Sequence, residues 1–113
     1  MADPGSWLLL AEDGRVVVGM AAAEALRGED GAGPPIPGGC FLSMLFVVPE
    51  RWGEGIGGAL LDAVLGEATR RQYSRIHLWT HHDNERAHRL YRRRGFSPTG
   101  RTMADKGEWA RRV

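Results

Sequence analysis

The sequence predicts a single α/β domain, with a mixed, mostly antiparallel sheet and two flanking helices. Three observations predict it. Two apolar runs, Trp7 to Ala11 and Arg15 to Ala25, are joined by Glu12-Asp13-Gly14, and Asp-Gly is a strong hairpin signal. An apolar strand, a glycine-rich turn, a helical pattern and another strand then follow in order, which implies a right-handed crossover and a parallel pair. A second helical pattern from Asn84 leads into a tail, Ser97 to Val113, that supplies the last two strands. At 113 residues there is room for one core and not for two.

Met1 to Ser6 is a polar start without periodicity, and the hairpin follows it. Arg27 to Gly39 collects glycines, Pro34, Pro35, Pro37 and acidic residues, a composition expected to form a mobile loop and not a regular element. It is long for a hairpin connection, so it reads either as a lid or as a tolerated insertion. Phe41 to Val48 has no polar residue but Ser43 and reads as a buried central strand, which Pro49 ends.

Four glycines then fall within six residues: Gly53, Gly55, Gly57 and Gly58. A helix is expected from about Gly55 to Arg71, with Ile56, Leu60, Ala63, Val64 and Ala68 as its core-facing stripe. Asp62 and Glu67 lie early or mid-helix and Arg70 and Arg71 at its end, as the helix dipole prefers. Ser74 to Thr80 is the parallel partner strand. Asp83 or Asn84 caps the second helix, Ala87, Leu90 and Tyr91 share one face, and Gly95 supplies a left-handed end with Phe96 packing back. In the tail, Met103 and Trp109 are the expected core anchors.

Composition excludes several classes of function. A net charge of +1 gives no strong field toward nucleic acid or acidic lipid. The one cysteine, Cys40, excludes an internal disulfide and fits a reducing cytosol. No run of about 18 apolar residues and no signal-peptide pattern occurs, so a cytoplasmic chain with no membrane partner is expected. No metal site is expected. Lys106 is the only lysine, and the arginine, glycine and alanine bias resembles a GC-rich coding sequence more than an adaptation.

A strand, a glycine turn and a helix start together make an anion site. The turn aims successive N–H groups at one point, the helix dipole adds favourable potential, and any Cβ would hold a phosphate away. A Walker loop would end in Gly-Lys-Ser/Thr, where Gly57-Gly58-Ala59 stands, and the dinucleotide fingerprint would need a glycine at Leu60. The stretch instead resembles the acyl-CoA pyrophosphate loop of the GNAT family of N-acetyltransferases, V-x-P-x-x-R/Q-x-x-G-x-G/A. Val47, Pro49, Gly55 and Gly57 match it; the R/Q position is Trp52, with Arg51 one residue earlier. The family's N-x-x-A-x-x-x-Y followed by G-F is met at Asn84, Ala87, Tyr91, Gly95 and Phe96. Two motifs at the right separation are far more specific than one, and they span residues 45 to 96.

The resemblance implies a central strand splayed from its parallel neighbour, with the pantetheine arm of acetyl-CoA in the gap. Leu45 and Val47 would pair with its amides, and a strand amide would polarise the thioester carbonyl. Trp52, Gly53, Glu54, Gly55, Ile56, Gly57 and Gly58 would hold the pyrophosphate, largely through backbone N–H groups. Asn84 would bond the pantetheine, or simply cap its helix. Tyr91 would protonate the leaving thiolate, or simply pack as a core aromatic. The implied function is acetyl-CoA-dependent acetylation of a primary amine of a small molecule or peptide, by direct attack.

No general base is readable among Cys40, Ser43, Glu24, His77, His81 and His82. Arg86, Arg89, Arg92, Arg93 and Arg94 read as a solvated helix face, or as contacts to the 3′-phosphate of CoA or to an acidic partner. The family's N-terminal strand and acceptor-site helices are not evident before Trp7, which leaves open an acyl-CoA-binding module without turnover. A nucleic-acid binder is the weakest reading, because no aromatic-rich face accompanies the arginines. Trp7-Leu8-Leu9-Leu10 is too apolar to lie wholly in water, so a homodimer is expected, with the Gly31 to Gly39 loop near the cleft mouth.

Overall fold

The structure, a computed structural model, describes residues 5–113. Its elements are β1 (Trp7–Asp13), β2 (Val16–Arg27), β3 (Pro35–Val47), α1 (Ile56–Arg70), β4 (Arg75–His81), α2 (Glu85–Arg93), β5 (Ser97–Met103) and β6 (Lys106–Arg112). They form one six-stranded sheet in the order β1-β2-β3-β4-β6-β5, antiparallel everywhere except between β3 and β4.

The β1–β2 hairpin closes at Gly14, whose φ of 63° lies in the left-handed region that Asp-Gly turns need. Helix α1 crosses from β3 to β4 and packs Leu60, Leu61, Val64 and Ala68 onto Ala21, Ala23, Cys40 and Ile76. Helix α2 adds Tyr91 to the same cluster, against Phe96 and Trp109. Both helices therefore cover one face of the sheet. Each buried leucine-sized side chain contributes about 1.5–3 kcal/mol, so this single layer supplies most of the driving force for folding.

Alternation along the strands leaves the opposite face without an α-helix among the described residues. Leu9 pairs across from buried Ala21 on the helix side, whereas Leu8 and Leu10 point away and are 57% and 47% exposed. Met44 and Phe46 on β3 share that open face, with exposures of 38% and 47%.

Four local expectations are corrected. The first concerns the presumed loop. Residues Pro35 to Gly39 belong to β3, and only Gly28 to Pro34 connects the strands, through a short 3-10 turn at Glu29–Gly31. Pairing with β4 begins at Gly39, so Pro35 and Pro37 lie where β3 has only one neighbour and a missing N–H breaks no ladder bond. This connection also sits at the start of β3, opposite the glycine turn, and lines no part of the cleft described below.

Second, Phe41 to Val48 is not a buried strand throughout: Ser43, Met44 and Phe46 are exposed, the last two on the open face, and β3 loses β4 as a neighbour after Phe41. Third, Leu61 and not Ala63 completes the helix stripe, since α1 turns position 61 under the sheet and leaves 63 in solvent. Fourth, Met103 is 44% exposed at the outer edge strand, while Trp109, one strand inward, is buried as expected.

Candidate functional site

Strands β3 and β4 are in register only over Gly39–Phe41 and Arg75–His77. Beyond that they diverge, although β3 keeps β2 as a partner as far as Val47. The divergence opens a cleft of about 750 Å³, and the chain of β3 beyond Phe41 lends it backbone groups with no strand opposite. Leu45 and Val47 line it from β3, Leu78, Trp79, Thr80 and His81 from β4, and Asn84, Leu90 and Tyr91 from the α2 side.

The glycine turn closes one end. After β3, Pro49–Arg51 makes a 3-10 turn, and Gly53 and Gly55 then take φ of 86° and 83°. An L side chain is strained in that region, so glycine is required there on conformational grounds alone. Apart from their chain neighbours, no atom lies within 4 Å of where a Cβ would stand at either residue, so the space in front of them is open. Gly57 differs: a Cβ there would make ordinary contacts with Leu90 and Val47.

Helix α1 starts from Gly55 with no side-chain cap and no acidic residue in its first turn. Its first N–H groups therefore point from a bare, dipole-positive end into the cleft. Trp52, Gly53, Gly55, Ile56, Gly57 and Gly58 all line the wall. Glu54 does not: its carboxylate accepts from the Arg51 Nε–H at 2.8 and 2.9 Å, and Arg51 also reaches Asp13 at 2.9 Å. Arg51 thus lines the cleft while tied to the turn through these two exposed ion pairs. Trp52 donates Nε1–H to the Val47 carbonyl at 2.8 Å, with the Arg86 guanidinium 4.7 Å from its ring centre.

Asn84 accepts the Ala87 N–H at 3.1 Å through Oδ1, the expected N-cap. The cap occupies the oxygen and leaves the amide NH₂ as a donor on the cleft wall. Tyr91 is buried, and desolvation pushes its phenol up to about 12. At neutral pH it is a proton-bearing donor. Arg86, Arg89 and Arg93 fall at helical spacing along the same wall, and among the described residues they make no ion pair. Arg94 is different, since it donates to Asp62 at 3.1 and 3.3 Å. That bond, more than the proximity of charge, holds the Asp62 carboxyl below its usual range.

Most of the predicted site residues thus meet at one cleft; Glu54 stands apart. Sequence reasoning missed Met44, Phe46, Trp79 and Lys106, which complete the wall. For the first three the signal was alternation along β3 and β4, which acquires meaning only once the strands are known to diverge; Lys106 reaches the wall from β6, opposite His81. Of the histidines, His77 lies away from the cleft in a network with Glu108 (3.2 Å), which also accepts from Thr99 at 2.7 Å. His81 lines the cleft, with Nδ1 3.0 Å from the Asp105 carboxylate. Cys40 is fully buried, and burial pushes its thiol up to about 12, which removes it as a base or nucleophile. No group of three or more metal-ligating side chains occurs among the described residues, and no helix there is long and apolar enough to cross a membrane.

The model of the acetyltransferase (GNAT) family matches residues 1–96. No curated protein matches the chain in sequence. Among solved structures, the chain is similar to a PaiA N-acetyltransferase from Thermoplasma acidophilum in complex with coenzyme A. That likeness has 17% identity, a TM-score of 0.81, and coverage of 96% of this chain and 62% of the other. An IAA acetyltransferase from Bacillus cereus shares 18% identity, with a TM-score of 0.80 and coverage of 96% and 79%. A ribosomal-protein-alanine N-acetyltransferase from Brucella melitensis shares 23%, with a TM-score of 0.77 and coverage of 94% and 68%. The chain therefore spans less than two thirds of the first of these structures.

Proposed function

The chain belongs to the acetyltransferase (GNAT) family, and from that premise we propose that it moves an acetyl group from acetyl-CoA to a primary amine of a small molecule or peptide. The observation that carries the reading is the bare start of α1 behind Gly53 and Gly55, set at the end of a cleft where two parallel strands part. The cradle fits a diphosphate: its donors are backbone N–H groups, its glycines leave open space, and no carboxylate of the first helical turn competes.

In this reading acetyl-CoA supplies an activated acetyl group as a thioester. The N–H groups from Gly53 to Gly58 hold the diphosphate, and Arg86, Arg89 and Arg93 oppose the remaining phosphate charge. Leu45 and Val47 offer backbone groups to the pantetheine arm, and the Asn84 NH₂ offers one more. Tyr91 donates a hydrogen bond to the departing sulfur. With its phenol near 12 the transfer is uphill toward a thiolate of ordinary acidity, so the proton moves only as charge builds on sulfur. The acceptor attacks directly: among the described residues no cysteine lines the cleft, and Ser43 donates to the Ala22 carbonyl while His81 bonds Asp105, so no serine–histidine pair forms there.

The chain acts in the cytoplasm in this account, where its buried cysteine stays a thiol. Leu8 and Leu10 make an apolar surface on the open sheet face, and a homodimer would cover it. Titrating the protein with acetyl-CoA in a calorimeter tests the core of the proposal: saturable binding supports it, and no heat at millimolar ligand counts against it. Light scattering at micromolar concentration tests the dimer, and a monodisperse monomer removes it.

A further inference from the structure

The cleft passes between β3 and β4, so it opens on both faces of the sheet, and the two mouths differ. On the helix side stand Leu45, Val47, Tyr91 and the glycine turn. On the helix-free side stand Met44, Phe46, Trp79, His81 and Lys106. That assignment follows from register: Ile76, Leu78 and Thr80 are buried on the helix side, so Trp79 and His81 face the other way, and His81 pairs across from Lys106.

We propose that the acceptor amine enters through this helix-free mouth and that His81, oriented by Asp105, takes the proton from its ammonium group. The inference rests on the acetyl-transfer reading given above. An ionised carboxylate has no hydrogen to give and can only accept from an imidazole. The Asp105 carboxyl is held below its usual range, first by its own backbone amide and then by His81 beside it. The bond of 3.0 Å therefore fixes the hydrogen on Nδ1 and leaves the Nε2 lone pair free in the neutral ring. The chain around the ring is also fixed. His88 donates Nε2–H to the His81 carbonyl at 3.0 Å, and the His82 N–H donates to the Asp105 carbonyl at 2.9 Å.

The charged and titratable groups around His81 are Asp105 and Lys106 on the β5–β6 hairpin and His82, Asp83 and His88 at the start of α2. Asp105 is the one that bonds its ring. Met44, Phe46 and Trp79 give the mouth apolar surface beside Lys106, with the Arg101 guanidinium 5.6 Å from the Trp79 ring centre, which suits an amine carried on an apolar body.

The step balances as follows. The ammonium gives one proton to His81 Nε2 and thence to water. The neutral nitrogen attacks the thioester carbonyl carbon, a C–N bond forms and the C–S bond breaks, and the sulfur takes a proton from Tyr91. The second N–H proton, shed as the amide forms, restores Tyr91 through solvent.

The test is steady-state kinetics with acetyl-CoA and phenethylamine, spermidine or an alanine-led tripeptide, over pH 5.5 to 9, on wild type, His81→Gln and Asp105→Asn. His81 is exposed, so His81→Gln is expected to fold, and melting confirms it. Phenethylamine is expected to be the fastest acceptor. His81→Gln should lower kcat by about a hundredfold, lose the acidic limb that an imidazole imposes on kcat/KM, and bind acetyl-CoA as wild type does. Asp105→Asn, a positioning change, should move that limb and lower kcat less. A folded His81→Gln that keeps its rate and its acidic limb overturns the base while leaving acetyl transfer intact. Spermidine as the preferred acceptor overturns the apolar mouth. A wild type that binds acetyl-CoA yet acetylates none of the three amines overturns the transfer reading, and the base with it.

Discussion

The Trp52 indole folds back to donate its Nε1–H to the Val47 carbonyl at 2.8 Å, so the residue that departs from the family motif ties the glycine turn to the end of the central strand. The same ring carries the Arg86 guanidinium at 4.7 Å, which couples the turn to α2 across the cleft. Truncation should loosen both. A net hydrogen bond contributes about 1 kcal/mol and an exposed cation–π contact about 0.5–1 kcal/mol, so Trp52→Ala should weaken acetyl-CoA binding by about tenfold. The turnover rate at saturation should change little, because Trp52 touches no reacting atom in this account. Calorimetry and saturation kinetics on one preparation check the split; a loss confined to kcat would contradict it.

Gly55→Asp places a Cβ and a negative charge into the open space before α1. Strain at φ 83° should cost about 1–2 kcal/mol of stability, visible as a lower melting temperature of a still-folded protein. Acetyl-CoA affinity should fall by far more than tenfold, since the charge meets the diphosphate at the helix start. Unchanged affinity in calorimetry would show that the diphosphate sits elsewhere.

How much of this was legible in the residues beforehand differs from element to element. The hairpin, α1, β4, α2 and the tail strands followed from Asp13-Gly14, the helical stripes and Gly95-Phe96, because each is a local pattern with a local cause. Asn84 as a cap and Gly55 at the helix start were equally local. What escaped was set by neighbours distant in sequence. Pro35 and Pro37 belong in a strand only because β4 is not yet alongside. Met44 and Phe46 are exposed because the face they share with Leu8 and Leu10 carries no helix among the described residues. His81 stood out from His77 and His82 only once the β5–β6 hairpin brought Asp105 to its ring.

Tyr91→Phe keeps the ring that packs against Phe96 and Trp109 and removes the hydroxyl. Acetyl-CoA affinity should hold, and kcat should drop by roughly a hundred- to ten-thousand-fold if the proton is supplied there. With its phenol at about 12, Tyr91 gives kcat no alkaline limb below about pH 10. A wild-type limb near pH 8 that vanishes in Tyr91→Phe would contradict that picture.

The same burial makes the fold sensitive to base. The Cys40 thiol ionises at 9.0 when unfolded and at about 12 in the fold, and Tyr91 at 10.0 and about 12. Between these values the unfolded chain has lost protons that the folded chain retains, so stability is fully present below about pH 9 and falls as pH rises toward 12. Each group contributes a slope of about 1.4 kcal/mol per pH unit inside its window. Urea midpoints at pH 8, 10 and 11 should decline, and Cys40→Ala should flatten the earlier part of the decline. The slope is the readout, because the substitution also leaves a small cavity. A wild-type midpoint independent of pH up to 11 would contradict the burial argument.

The central claim is that this cleft transfers acetyl groups and does not merely hold their carrier. Free thiol released from acetyl-CoA, followed with and without an amine, measures that directly. The account predicts release that depends on the amine, equals the acetylated product found by mass spectrometry, and is lost in Gly55→Asp. Tight binding of acetyl-CoA with no amine-dependent thiol release, across small amines and peptide N-termini alike, would contradict it and leave an acyl-CoA-binding module in its place.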